Sequence, residues 1–354
     1  MMEDKRISPD HKRRTVVSTT ALSAAKNKIV AESVKKPGKA SEKPPSVIPV
    51  SDGSSAKETK VKSSAKSKTP VKNTTPAADI TSKATSKATS KVSPKATAKV
   101  SLKATADTSL PELNPILASG AREISVPLSA ENIRAFSEYA RLLKEWNEKM
   151  NLTNITDDKG IAIRHFIDSL TLVSHLEEET AKKGNKHLSL IDVGTGAGFP
   201  GIPLKVAMPS LEVTLLDSLR KRVGFLDAVC AALELKGITT VHARAEDAGL
   251  SKQYREKFDV ATARAVASLP VLCEYCLPFV KVGGIFLAMK GIAEEEIETA
   301  KKAIVTLGGT LETLHHFTLP GTDMNRSIIV IRKVRATPAK YPRQAGKPEK
   351  EPII

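Results

Sequence analysis

Large aromatic side chains are missing from the first third of the sequence: residues 1–110 of the 354 contain no Phe, Trp or Tyr. A stretch without them cannot bury enough apolar surface to offset the entropy of ordering, so a disordered arm is expected there. Acidic charge is also short in this arm. Its 23 Lys and Arg face 9 Asp and Glu, so it carries +14 of the chain's +16. Cysteine is scarce, at three residues, which excludes a disulfide-stapled fold and suits a reducing cytoplasm. Cys273 and Cys276 form a single C-x-x-C with no second pair. A tetrahedral zinc site needs about four ligands, so no metal is expected. No apolar run approaches the roughly 20 residues of a membrane span. The N-terminus lacks the apolar core of a secretory signal, and Glu3 and Asp4 argue against a transit peptide.

What fills the arm is Lys, Ser, Thr, Ala and Pro, including the degenerate repeat TSKATSKATSK (Thr81 to Lys91). Spaced lysines without aromatics describe a phosphate-seeking, sequence-blind arm. A solvated extension with no role of its own fits the same composition. Ordered sequence is expected to begin near Leu110–Pro115. Ser129 is a good N-cap, and Ile133, Phe136, Ala140, Leu143 and Trp146 then share one helical stripe. A second helix is expected over 159–177, with Ile163, Phe166, Ile167, Leu170 and Val173 on its apolar face. These two helices should form a small cap over one side of a sheet built from the rest of the chain.

From His187 onward strands and helices alternate. Strand signals lie at Leu188–Val193, Val213–Asp217, Thr239–His242, Asp259–Ala263 and Ile285–Met289, with two more at Thr310–Thr318 and Ser327–Val334. Helical signals separate the first five. The alternation predicts an α/β fold, a doubly wound, Rossmann-like sheet with its ligand at the carboxyl edge of the strands. The last two strands follow without a helical crossover, as a hairpin would. The expected units are a disordered tail (1–112), a helical cap (113–185), a ligand-binding α/β domain (186–335) and a basic, proline-rich tail that orders on binding (336–354).

The stretch LIDVGTGAGFPGIP, Leu190 to Pro203, is the organising element. A short apolar strand runs into a glycine-dense turn and re-enters apolar sequence, the geometry of a strand handing over to a helix above a nucleoside-sized ligand. Two patterns overlap. Gly196, Gly198 and Gly201 fit the dinucleotide motif G-x-G-x-x-G. Gly194, Gly196 and Gly198 with Asp192 fit D-x-G-x-G-x-G, the loop of S-adenosylmethionine (SAM) methyltransferases. An acid at the strand's end is expected to face an amine or sulfonium and to repel a pyrophosphate, which favours SAM.

The second strand ends at Asp217, 21 residues after Gly196, where a carboxylate accepts ribose hydroxyls. After the third strand, Ala245 and Glu246 are placed to read an adenine ring, by a backbone N–H and a carboxylate. After the fourth comes Arg264, a cation at the reaction edge suited to the methionine carboxylate or a target phosphate; an ion pair within the fold is the alternative. The N/D-P-P-Y/F group of amine methyltransferases is absent here. No cysteine adjoins a proline, as covalent attack on cytosine requires, and Cys273 and Cys276 read as two buried thiols in a helix. His165 and Asp168, three apart on a helix edge, could touch each other or a substrate, with a bond tying the cap to the sheet preferred. Lys290 ends the fifth strand, where it meets RNA phosphate or only solvent.

Taken together, VGTGAGFPGIPL (Val193 to Leu204), LLDSLRKRVGFL (Leu215 to Leu226), RAEDA, ATARAVASL, AMKG, KMNLTNI (Lys149 to Ile155), RHFIDSL (Arg164 to Leu170) and KYPRQAGKP (Lys340 to Pro348) resemble the RsmG/GidB family. The resemblance runs unbroken from about Ser129 to Pro348. It implies a class I SAM-dependent methyltransferase that methylates N7 of one guanine in 16S ribosomal RNA of the small subunit. It also implies a cytoplasmic, monomeric enzyme whose SAM contacts include Gly194, Phe199, Ala245, Glu246 and Arg264. Guanine N7 already has an in-plane lone pair, so no general base is needed; Arg264, Lys290 and His165 are the candidates at the reaction edge. Two rivals remain: a dinucleotide oxidoreductase on the same fold, and a nucleic-acid-binding protein with a vestigial nucleoside site.

Overall fold

The computed structural model describes residues 112–184 and 186–354. The arm expected to be disordered therefore lies outside the described residues. The first helix, α1 (Leu113–Glu123), precedes the long α2 (Ala130–Met150). Helix α2 starts where its capping residue predicts. The Ser129 hydroxyl accepts from the Asn132 backbone N–H at 3.1 Å, and Asn132 Oδ1 accepts from the Ser129 N–H at 3.0 Å, satisfying orphan groups of the first turn reciprocally. It ends at Asn151 in the left-handed region, φ 47°.

The expected helix over 159–177 is broken instead. It comprises one turn, α3 (Asp158–Gly160), a π-helical stretch (Ile161–Ile167), a second turn, α4 (Asp168–Leu170), and then α5 (Val173–Lys182). Two hydroxyls bond back to the helix: Ser169 to the His165 carbonyl and Thr171 to the Asp168 carbonyl, each at 2.6 Å. Such back-bonding bends helices, and π-bulges recur at functional sites. Apolar periodicity averages over a bulge, so the sequence reads as continuous.

The sheet comprises β1 (Ser189–Val193), β2 (Glu212–Asp217), β3 (Ile238–His242), β4 (Phe258–Arg264), β5 (Val280–Lys290), β6 (Gly309–Thr318) and β7 (Asn325–Lys333). Their order is β3-β2-β1-β4-β5-β7-β6. The first five are parallel, whereas β7 runs antiparallel between β5 and β6. The expected closing hairpin is present, with its second strand inserted. The order reverses between β1 and β4, and ligands of open α/β sheets bind at the carboxyl ends beside such a switch point. Helices α6 (Gly201–Ala207), α7 (Arg220–Ala232), α8 (Ala245–Leu250), α9 (Leu269–Cys276) and α10 (Glu294–Thr306) connect the strands.

Alternation along the strands decides which helices cover which face. Leu190 of β1 and Ile285, Leu287 and Met289 of β5 join a core with α1, α2, the π-helical stretch, α6 and α7. Ile191, Val193, Phe286 and Ala288 point the other way, into a core with α8, α9 and α10. The expected cap is thus part of one face of a three-layer domain. Asn132 of α2 ties it down by donating to the Val206 carbonyl of α6 at 2.8 Å.

The C-terminal stretch, expected to order only on binding, is packed on the domain. The Arg255 guanidinium donates to the carbonyls of Thr337 (2.7 Å) and Tyr341 (2.8 Å). Arg343 forks onto the buried Glu274 at 2.9 and 2.6 Å. A short helix, α11 (Lys347–Lys350), ends the arm. Its proline and lysine content gives no sign of these partners, which lie about 70 to 85 residues away in sequence. Among the described residues no helix is long and apolar enough to cross a membrane.

Candidate active site

The glycine turn is suspended from the neighbouring strand. Gly194 and Thr195 both donate to the Leu216 carbonyl, at 2.8 and 3.1 Å. Gly194 sits at φ 69°, and an added Cβ would meet Val266 at 2.9 Å, so both its backbone angle and its surroundings require glycine. Gly196, at φ 63°, donates its N–H to Asp217 Oδ2 at 3.0 Å. From above, Tyr139 of α2 donates its hydroxyl to the Ala197 carbonyl, a cap-to-turn contact that nothing in the local sequence signals.

Asp192 departs from expectation. Its side chain is wholly buried, and Oδ2 accepts from the Thr195 hydroxyl (2.6 Å) and the Gly201 N–H (2.8 Å). It is spent on closing the glycine turn rather than facing a ligand. Burial pushes its carboxyl up to about 6, against the two hydrogen bonds that hold it down. Oδ1 has no partner, and a buried unpaired oxygen favours the protonated form.

Asp217 is where the sequence puts it, at the carboxyl end of β2. Oδ1 accepts from the Leu219 N–H at 2.8 Å and Oδ2 from Gly196, leaving lone pairs for further donors. It lines one pocket with Gly194, Ala245 and Glu246. Four predicted contacts, from the ends of β1, β2 and β3, therefore converge. Gly196 reaches the pocket through Asp217. Tyr275 of α9 and Glu349 of the C-terminal arm complete the wall, and neither carries a local sequence signal. Arg244 is the cation among lining carboxylates Asp217, Glu246 and Glu349.

A second pocket lies beside the first, at the ends of β4 and β5. Arg164, His165, Asp168, Arg264, Lys290 and Arg326 line it. The two pockets share one loop: Ala265 faces this one and Val266 the other. Ala265 holds φ 55°, an uncommon conformation for a residue with a Cβ.

Arg264 makes the ion pair that stands in the sequence as the alternative to a ligand contact. Its Nη1 donates to Asp168 Oδ2 at 2.9 Å, and Arg326 Nε donates to Asp168 Oδ1 at 3.0 Å. One buried carboxylate thus clamps two guanidiniums and ties the cap to β4 and β7. Arg264 also lies 5.1 Å above the Phe199 ring, within reach of a cation–π contact. Phe199 itself is buried, with His165 stacked at 4.4 Å and Tyr139 at 5.3 Å.

His165 and Asp168 do not bond to each other. His165 Nε2 meets the Thr153 hydroxyl at 2.9 Å, and that hydroxyl already accepts from the Ile155 N–H. His165 Nδ1 has no partner. Burial, then Arg264 and Arg164, lower the imidazole to about 3, so it is neutral at pH 7. Lys290 lines this pocket with its ammonium held by the Ala267 carbonyl (2.7 Å) and Glu296 (2.8 Å). Cys273 and Cys276 are buried in α9, and burial pushes both thiols up. Among the described residues no cluster of His, Cys, Asp and Glu is placed to hold a metal.

Comparison with known proteins finds one family. A family model described as "GidB: rRNA small subunit methyltransferase G" matches residues 132–328. Proteins named ribosomal RNA small subunit methyltransferase G are similar over about two thirds of the chain. That of Acetivibrio thermocellus is 55% identical over 242 residues, 68% of this chain and 97% of its own length. That of Alkaliphilus oremlandii is 51% identical over 243 residues, 68% and 99%. That of Bacillus subtilis is 48% identical over 236 residues, 66% and 96%.

Proposed function

We propose, from the premise that the chain belongs to the rRNA small subunit methyltransferase G family, that it transfers the methyl group of SAM to N7 of one guanine in 16S ribosomal RNA. The observation that carries this reading is the pairing of two unlike pockets across the Ala265–Val266 loop. One is lined by the carboxylates Asp217, Glu246 and Glu349; the other is cationic.

The first pocket fits SAM better than a dinucleotide. Asp217, Glu246 and Glu349 supply acceptors for ribose hydroxyls and an exocyclic amine, while a pyrophosphate would bring negative charge among them. Gly194 lets a ligand approach the main chain closely. When bound, SAM supplies an electrophilic methyl group on a sulfonium. The chain's own residues position and exclude. Asp217 and Ala245 orient the nucleoside, and Arg264 fixes the edge between the pockets, lying over the Phe199 ring on which His165 stacks.

In the second pocket Arg164, Arg264 and Arg326 screen the charge of an incoming phosphate backbone. Guanine N7 attacks through its own lone pair, so no side chain has to remove a proton first. A neutral His165, a poor base once its pKa lies near about 3, agrees with that requirement. Rate then comes from in-line alignment of N7 with the methyl group. An rRNA substrate places the reaction in the cytoplasm.

The test is transfer of labelled methyl from SAM to 16S rRNA by the purified protein, with Arg264→Ala as control. The variant is expected to bind little RNA or SAM and to turn over below detection, with a melting curve confirming that it folds. Full activity in Arg264→Ala would remove it from the reaction edge.

A further inference from the structure

The C-terminal arm does more than cover a surface. Arg343 is forked onto Glu274, and the next residue of α9, Tyr275, donates its hydroxyl to Glu349 Oε1 at 3.1 Å. Between these anchors the Gly346 N–H donates to Glu246 Oε1 at 2.8 Å. Seven residues of arm are thus fastened at three points to α8 and α9, and Pro348 within them is buried. The fastening delivers Glu349 into the wall of the nucleoside pocket, beside Ala245, Glu246 and Tyr275.

Two carboxylates besides Asp217 line this pocket. Glu246 is buried, and one oxygen is spent on the arm. Glu349 is exposed, and its Oε2 has no hydrogen-bond partner among the described residues. We propose that Glu349, held by Tyr275 and by the Arg343–Gly346 arm, reads the 6-amino group of the adenine ring and makes the pocket selective for a 6-amino over a 6-oxo purine. A carboxylate only accepts, so it matches an amine that donates and repels the carbonyl oxygen that replaces it. This rests on the SAM reading above.

The experiment is calorimetry with two product analogues, S-adenosylhomocysteine and S-inosylhomocysteine, on the full chain. The wild type is expected to prefer the adenosyl compound by about ten-fold or more, the worth of one charge-assisted hydrogen bond. Glu349→Ala should lower affinity for the adenosyl compound by about ten-fold and reduce the preference to near unity. Tyr275→Phe removes the hydroxyl but leaves the carboxylate, and should retain a preference. If Glu349→Ala weakens both compounds equally, or neither, the carboxylate does not read the base and the proposal fails. If the wild type binds neither compound, the SAM reading itself fails, and this inference falls with it.

Discussion

Removing the carboxylate of Asp168 tests the clamp between cap and sheet. Its two oxygens are the acceptors for Arg264 (2.9 Å) and Arg326 (3.0 Å), and its side chain is 5% exposed. In Asp168→Ala two guanidiniums, from β4 and β7, remain side by side with no counter-charge. Breaking one partner of a buried pair costs about 3–5 kcal/mol. Here the arginines keep 14% and 23% of their side chains in water, so about 2–3 kcal/mol is the better expectation. For a domain of this size each kcal/mol shifts the melting temperature by roughly 2–4 °C, which predicts a fall of about 5–10 °C by differential scanning fluorimetry. Asp168→Asn keeps one acceptor and should fall by about half as much. Methyl transfer should drop in both variants by more than SAM affinity does, because Arg264 loses its fixed position while Asp217, Ala245 and Glu246 do not. A melting temperature within about 1 °C of wild type in Asp168→Ala would refute the clamp.

Three further outcomes concern other parts of the molecule. Gly194→Asp forces a side chain into the 2.9 Å contact with Val266 at φ 69° and should abolish SAM binding by calorimetry; retained affinity would displace the glycine turn from the site. Asp192, raised to about 6 when folded, is protonated more readily in the native than in the unfolded chain. It therefore makes stability fall as pH rises from about 4 to 6, and the size is on the order of 2 kcal/mol. His165, lowered to about 3, acts with the opposite sign over an overlapping window, so the readout is a difference: Asp192→Asn minus wild type in urea melts should rise across pH 4 to 6, and a flat difference would contradict the assignment. Deleting residues 1–110, with their +14 charge, should weaken RNA binding and flatten its salt dependence through lost counterion release, leaving SAM affinity unchanged; identical salt slopes would make the arm a passive extension.

Much of this is legible in the residues alone, for identifiable reasons. Seven strands appear close to where the sequence puts them, and the buried ones, β1, β2, β4 and β5, show it by a short apolar run between turn signals. The glycine turn, Asp217, Ala245 and Glu246 converge because strand–turn spacing in a parallel sheet sets what reaches its carboxyl edge. What escapes depends on contacts that spacing does not encode. Asp192 has the right residue type in the right place, but its side chain turns inward to Thr195 and Gly201. The clamp joins Asp168 to Arg326 across 158 positions. The π-helical stretch that presents His165 leaves the apolar pattern intact. Glu349 looks like one more charge in a basic, proline-rich tail until Tyr275 and Glu246 hold it and its neighbours against the pocket.

The central claim is the position of the methyl group. An RNA chain is cleaved at N7-methylguanosine by borohydride reduction and aniline treatment, so primer extension on 16S rRNA maps the modification to one nucleotide. In cells carrying the gene, a stop is predicted at a single guanine; in cells lacking it, that stop should vanish, and the purified protein with SAM should restore it. An unchanged pattern after deletion, or a methyl group found on another atom of the base, would contradict the account.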